Sequence, residues 1–195
     1  MASILTIQSR TRAGVDALRS AEAGAAAQVV GIVGFALLTA IGSQIRLYAW
    51  EIPFTLQTLA VYGSGLYLGA RNGLLSQLLY LTIGLFLPVY AGAEYGPSFF
   101  ATGITAGYVV GFPVAAFLAG AASRSWNGPL GAILSLVLGS VALFAIGVTW
   151  FHFAAGHATW FESIDRGWLR FAGVDLAKIL LVSLVYSVSR RLTAK

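Results

Sequence analysis

The chain contains no cysteine, which excludes disulfides, iron-sulfur clusters, thiolate zinc sites and a Cys nucleophile. Histidine is nearly absent too. His152 and His157 stand five apart, off one helical face, and no His-Glu-x-x-His motif occurs, so no metal site is expected. Neither a Gly-x-Ser-x-Gly turn nor a Gly-rich nucleotide loop with its Lys is found, which removes the commonest hydrolase and ATP-site signatures. Charge is the largest deficit. Asp, Glu, Lys and Arg make up 10% of the 195 residues, against roughly a quarter in soluble domains. An ordinary globular domain, a disordered chain and a nucleic-acid binder are therefore excluded. What the chain has in abundance is apolar: 58% of residues are hydrophobic and the mean hydropathy is +0.81. Such a chain belongs in a lipid bilayer.

A bilayer core needs roughly 20 mostly apolar residues per helix. Six such runs are predicted, over 25–45, 52–70, 73–90, 101–122, 130–155 and 169–189, making an all-α membrane protein of six transmembrane helices. Residues 1–22 carry Arg10, Arg12, Asp16, Arg19 and Glu22 and are too long and too mixed in charge for a signal peptide, so they are expected as a retained tail before a domain over 23–195. Six spans put eight basic residues on the side of the termini: Arg10, Arg12, Arg19, Arg71, Arg124, Arg190, Arg191 and Lys195. The other side has three, Arg46, Arg166 and Arg170, beside Glu51, Glu94, Glu162 and Asp165. Basic loops stay inside, so both termini are expected in the cytoplasm of a multi-pass protein of the cell membrane.

The first span is rich in small residues. Ala27 with Gly31, and Ala36 with Ala40, stand four apart on shared faces where another helix can approach closely. Packing inside the bundle and docking on a separate membrane subunit both fit. Between the third and fourth spans, Gly92, Gly96, Gly103 and Gly107 alternate with Tyr90, Tyr95, Phe99, Phe100 and Tyr108. Irregular backbone near a membrane is tolerated where it is buried in protein or lines a cavity, so this segment is expected to fold over something. Trp50, Glu51, Phe54, Thr55 and Gln57 ahead of the second span add to the same side.

Asp175 and Lys178 are the costly feature. Three apart, they share one face of the sixth span, and insertion scales charge each about 2.5 to 3.5 kcal/mol at a helix centre. One reading is a structural ion pair; the other is a polar floor for a ligand pocket. At 1.5 Å per residue from Leu169, Asp175 lies about 9 Å below the outer boundary, on the side of the aromatic loop. A carboxylate accepts and an ammonium donates, so together they suit a group carrying both N–H and C=O, such as a ureido or amide. Neither histidine stands near the pair in sequence, and no Ser or Thr with an evident base stands out, so catalysis is not expected.

Several segments resemble the BioY family, the biotin-specific substrate-capture (S) components of energy-coupling-factor (ECF) vitamin transporters. They are Pro53-Phe54-Thr55-Leu56-Gln57-Thr58-Leu59, Leu68-Gly69-Ala70-Arg71 with Gly73, Leu87-Pro88-Val89-Tyr90-Ala91-Gly92, Gly107-Tyr108, Gly111-Phe112-Pro113 and Asp175-Leu176-Ala177-Lys178. Two segments differ from the usual pattern: Gly103-Ile104-Thr105-Ala106-Gly107-Tyr108 stands in place of Gly-Pro-Thr-Gly-Gly-Tyr, and Gly173-Val174-Asp175 in place of Pro-Gly-Asp. The resemblance implies an S-component bundle open to the outside, in which Asp175 and Lys178 contact the biotin head group. With the aromatic and polar neighbours, the expected substrate-binding set is Asp175, Lys178, Tyr108, Tyr95, Tyr90, Phe54 and Gln57. It also implies that Ala36 and Ala40 dock on a transmembrane coupling (T) subunit driven by two ATPases. No cofactor is expected. The alternatives are an S component for another small vitamin or cofactor precursor, or an intramembrane enzyme using Asp175 as base.

Overall fold

A computed structural model describes residues 15–19, 23–47, 52–126 and 128–193. Arg10, Arg12, Glu22, Trp50, Glu51 and Lys195 lie outside the described residues. A short 3-10 helix (Val15–Arg19) precedes α1 (Ala25–Gln44), a two-residue ribbon of β1 (Arg46–Leu47) and β2 (Phe54–Thr55), α2 (Gln57–Gly84) and α3 (Gly96–Thr102). Then come α4 (Ala106–Ser125), α5 (Gly128–Ala155), α6 (Trp160–Ile164), a π-helical turn (Asp165–Leu169) and α7 (Arg170–Thr193). Among the described residues, four helical stretches are long and apolar enough to cross a membrane: Ala25–Gln44, Ala106–Ser125, Gly128–Ala155 and Trp160–Thr193.

The second and third expected spans fall together in α2, which Gly69 breaks at φ 76°, a conformation that costs glycine nothing and side-chain-bearing residues much. The two arms, 57–68 and 70–84, lie side by side. Gln57 Nε2 donates to the Tyr80 hydroxyl at 2.7 Å and Gln77 Nε2 to Ser64 Oγ at 3.3 Å, while a Cβ on Gly73 would sit 3.0 Å from the Ser64 carbonyl oxygen. The arms rise only about 18 and 22 Å at 1.5 Å per residue, against a hydrocarbon core of about 30 Å.

Several boundaries differ from expectation. Residues ahead of Gln57 are extended because Phe54 and Thr55 pair antiparallel with Leu47 and Arg46, so α2 begins later than Ile52. The fourth span does not start at Ala101: α3 ends at Thr102, Gly103 is extended, and α4 begins at Ala106. A Cβ at 103 would lie 2.4 Å from the Phe99 carbonyl oxygen, and the break lets Trp150 Nε1 donate to the Gly103 oxygen at 3.0 Å. Pro113 lies inside α4. At the C-terminal end, α7 runs past Ser189 to Thr193, with Arg190 and Arg191 in its last turn.

Helices α2, α4 and α5 form the centre. A Cβ on Gly65 would stand 2.7 Å from the Ala116 oxygen, and one on Gly139 2.7 Å from the Ala115 oxygen, so backbones meet directly, as small residues allow in membranes. Helix α1 lies outside them and exposes Val29, Val30, Val33, Leu37, Leu38 and Ile41. Of its small residues, Ala25, Ala26 and Ala27 are exposed, whereas Ala36 faces inward. Ala36 is 0% exposed and Ala40, half-buried, packs against the same core, so Ala36 lets α1 seat on the bundle.

The described part of the tail is also packed down. Arg19 donates to the Tyr186 hydroxyl at 2.6 Å, to Ser123 Oγ at 2.7 Å and to the Gly120 carbonyl at 3.2 Å. It thereby ties α7 to α4 beside the Gly69 break.

Candidate binding cavity

At the opposite end from Arg19, the N-terminal ends of α2, α4 and α7 and the C-terminal half of α5 line a partly open cavity. Six aromatic side chains contribute to the walls: Phe54, Phe99, Tyr108, Phe112, Phe144 and Phe171. Phe54 and Phe171 pack with ring centroids 4.5 Å apart, and Tyr108 meets Phe144 edge-on at 6.1 Å.

The polar groups gather on one side. Asp175 and Lys178 both line the cavity, yet among the described residues no ion pair joins them. Asp175 is 6% exposed; its Oδ1 accepts from the Tyr62 hydroxyl at 2.7 Å and its Oδ2 from Ser140 Oγ at 2.5 Å. Lys178 Nζ donates to the Thr55 carbonyl at 2.6 Å and to Thr58 Oγ1 at 3.1 Å. Each charge is thus solvated by neutral partners, and each keeps capacity: the carboxylate has further lone pairs and the ammonium a third proton. The structural ion pair weighed from the sequence is not the arrangement found.

Of the residues expected in the site, Phe54, Gln57, Tyr108, Asp175 and Lys178 come together in this lining. Gln57 is engaged on both ends of its amide, donating to Tyr80 and accepting from Thr55 Oγ1 at 2.8 Å. Tyr108 donates to the Gly167 carbonyl at 2.9 Å, an oxygen carried by the π-helical turn that leads into α7. Tyr90 and Tyr95 are placed elsewhere. Tyr90 is fully buried behind Phe99, stacked on it at 4.4 Å, and donates to the Leu81 carbonyl at 2.8 Å in the notch left by Gly84. Tyr95 is 56% exposed and outside the lining. The Gly-rich segment does fold over the cavity, through Ala91 and Phe99.

Sequence reasoning missed Phe112 and Phe171, although Phe112 stands four after Tyr108 and Phe171 four before Asp175, one helical turn away on the same faces. It also missed Tyr62 and Ser140, for which no local signal exists. His152 and His157 do meet, each with Nδ1 2.9 Å from Ser163 Oγ; among the described residues no group of three metal-ligating side chains forms.

The family model described as the BioY family matches residues 11–195. The chain belongs to the BioY family. Among curated BioY relatives, the "Probable biotin transporter BioY" of Lysinibacillus sphaericus is 32% identical over 174 residues, 83% of this chain and 88% of that protein. The "Biotin transporter BioY" of Thermotoga maritima is 30% identical over 152 residues, 77% of this chain and 88% of the relative. Among solved structures, the "S-component for biotin from an ECF-type ABC transporter" superposes with a TM-score of 0.75 at 22% identity, covering 86% of this chain and 91% of that one. The chain therefore shares the S-component fold, and its family is a transport component rather than an enzyme.

Proposed function

We propose that the chain is a membrane-embedded, biotin-binding S component that captures biotin from outside the cell for an ECF-type transporter. The observation that carries this is the separated pair on α7: a carboxylate and an ammonium at one side of an aromatic cavity, each held by neutral groups and each with hydrogen-bonding capacity left over. The biotin ureido ring carries two N–H groups and one C=O. Asp175 accepts from the N–H groups and Lys178 donates to the C=O, while Phe54, Phe112, Phe144 and Phe171 cover the apolar bicycle. The local charges sum to zero, which suits a neutral head group, and hydrogen bonds to charged groups are the stronger kind.

The six-span arrangement, with both termini cytoplasmic and the cavity facing out of the cell membrane, is supported by the excess of basic residues at the end opposite the cavity. In that arrangement the two arms of α2 form the second and third spans, with residues 52–56 and 85–90 completing the short helices at the outer side. Release then needs a coupling subunit and two ATPases, since the chain has no nucleotide-binding loop of its own. Calorimetry of the detergent-purified chain against biotin, thiamine, riboflavin and pantothenate tests the reading: one biotin per chain and no heat from the others is expected. Tighter binding of another vitamin would replace biotin while keeping the fold, and conversion of any ligand by the isolated chain would make it an enzyme.

A further inference from the structure

The carboxylate of Asp175 is held entirely from behind. Tyr62, 0% exposed, reaches Oδ1 from the first arm of α2, and Ser140 reaches Oδ2 from α5; neither side chain lines the cavity, whereas Asp175 does. One neutral donor per oxygen, both on the protein side, fixes the rotation of the carboxylate and leaves the remaining lone pairs of both oxygens for the cavity. A carboxylate free to turn would offer its oxygens in no set direction. Bonds from Tyr and Ser, unlike an ion pair with Lys178, leave the ammonium available for a separate task.

We propose that Tyr62 and Ser140 are positioning residues for ligand recognition: they aim the Asp175 carboxylate so that two adjacent N–H donors of a cyclic urea are read together. This rests on the reading of Asp175 as the acceptor for biotin. A rigid, two-oxygen acceptor discriminates against a ligand that lacks one N–H, whereas a loosened carboxylate turns aside and tolerates it. Tyr62 and Ser140 therefore set selectivity as well as affinity, although neither touches the ligand.

The test measures affinity for biotin and for biotin methylated on one ureido nitrogen, using the full chain in detergent with Tyr62→Phe, Ser140→Ala and the double variant. Each single change is expected to weaken biotin about 5-fold and the double at least about 20-fold, the scale of one and two hydrogen bonds. The preference for biotin over the methylated analogue is expected to shrink at least about 3-fold. A merely structural role lowers both affinities together and leaves that preference unchanged, and an unchanged preference overturns the proposal. So does a double variant that binds biotin as the parent does. If the double variant does not fold, the preference ratios of the two single variants decide. Asp175→Asn is measured alongside: normal biotin binding there would sink the site itself, whereas its loss together with unaltered Tyr62 and Ser140 variants would sink this proposal alone.

Discussion

A buried carboxylate is tolerated in an apolar helix when its oxygens find donors, and Asp175 finds them on α2 and α5 rather than on its own helix. Replacing it by Asn keeps the shape but turns one acceptor into an N–H donor, set against either a ligand N–H or the Tyr62 or Ser140 hydroxyl. The loss of a charge-assisted bond is worth roughly 1.5 to 3 kcal/mol, so Asp175→Asn is expected to bind biotin about 10- to 150-fold more weakly while staying folded. Because Lys178 is held by Thr55 and Thr58 and not by Asp175, adding Lys178→Met to Asp175→Asn should rescue neither binding nor thermal stability. Rescue of stability by that pair would restore the ion-pair reading. Charge made this site legible in sequence, since an ionised group in a membrane span has to be accounted for. Tyr62 and Ser140 carry no such signal: each becomes meaningful only once the carboxylate is placed beside it by helices far apart in the chain.

At the level of elements, direction changes were harder to read than helices. The apolar runs over 25–45 and 130–155 match α1 and α5 closely, because twenty apolar residues without a breaker admit little else. The reversal at Gly69 was not distinguishable in sequence from the glycines that pack helices, since Gly63, Gly65 and Gly73 lie nearby. The contact that makes it matter comes from α4: a Cβ on Gly120 would sit 2.4 Å from the Ala70 nitrogen, while one on Gly34 of α1 meets nothing within 4 Å. Gly120→Ala should therefore destabilise by about 1 to 3 kcal/mol, the range for overpacking a rigid site, whereas Gly34→Ala should be neutral or slightly stabilising through helix propensity. Thermal melts in detergent compare the two, and equal melting points would show that α4 does not press on the break. Loss of Arg19 is expected to act at the same junction. Arg19→Gln gives up charge-assisted bonds to Tyr186 and Ser123, so the melt should fall by several degrees with biotin affinity changed less than about 3-fold, because the cavity is at the other end. A large loss of affinity would mean that this clasp sets the shape of the pocket.

For the whole molecule, the two ends differ in charge and in what they hold. Arg19, Arg71, Arg124, Arg190 and Arg191 belong to the end with the Gly69 break. At the cavity end two of the basic residues are matched by neighbouring acids, Arg166 to Glu162 at 3.0 Å and Arg170 to Asp165 at 2.7 Å. Orientation follows positive charge in short loops, so the Arg19 end should face the cytoplasm and the cavity should open outward. The absence of cysteine makes this directly measurable, because any introduced thiol is the sole reactive one. Tyr95 at the cavity end is 56% exposed, and Arg124 at the opposite end is also exposed. Tyr95→Cys should react in intact cells with a membrane-impermeant maleimide, while Arg124→Cys should react only after the membrane is opened. An external reaction at position 124 would invert the molecule, and it would place the cavity where a capture component has nothing to capture. Reaction at both positions from outside would break the six-span count instead, since an odd number of crossings separates them in that arrangement.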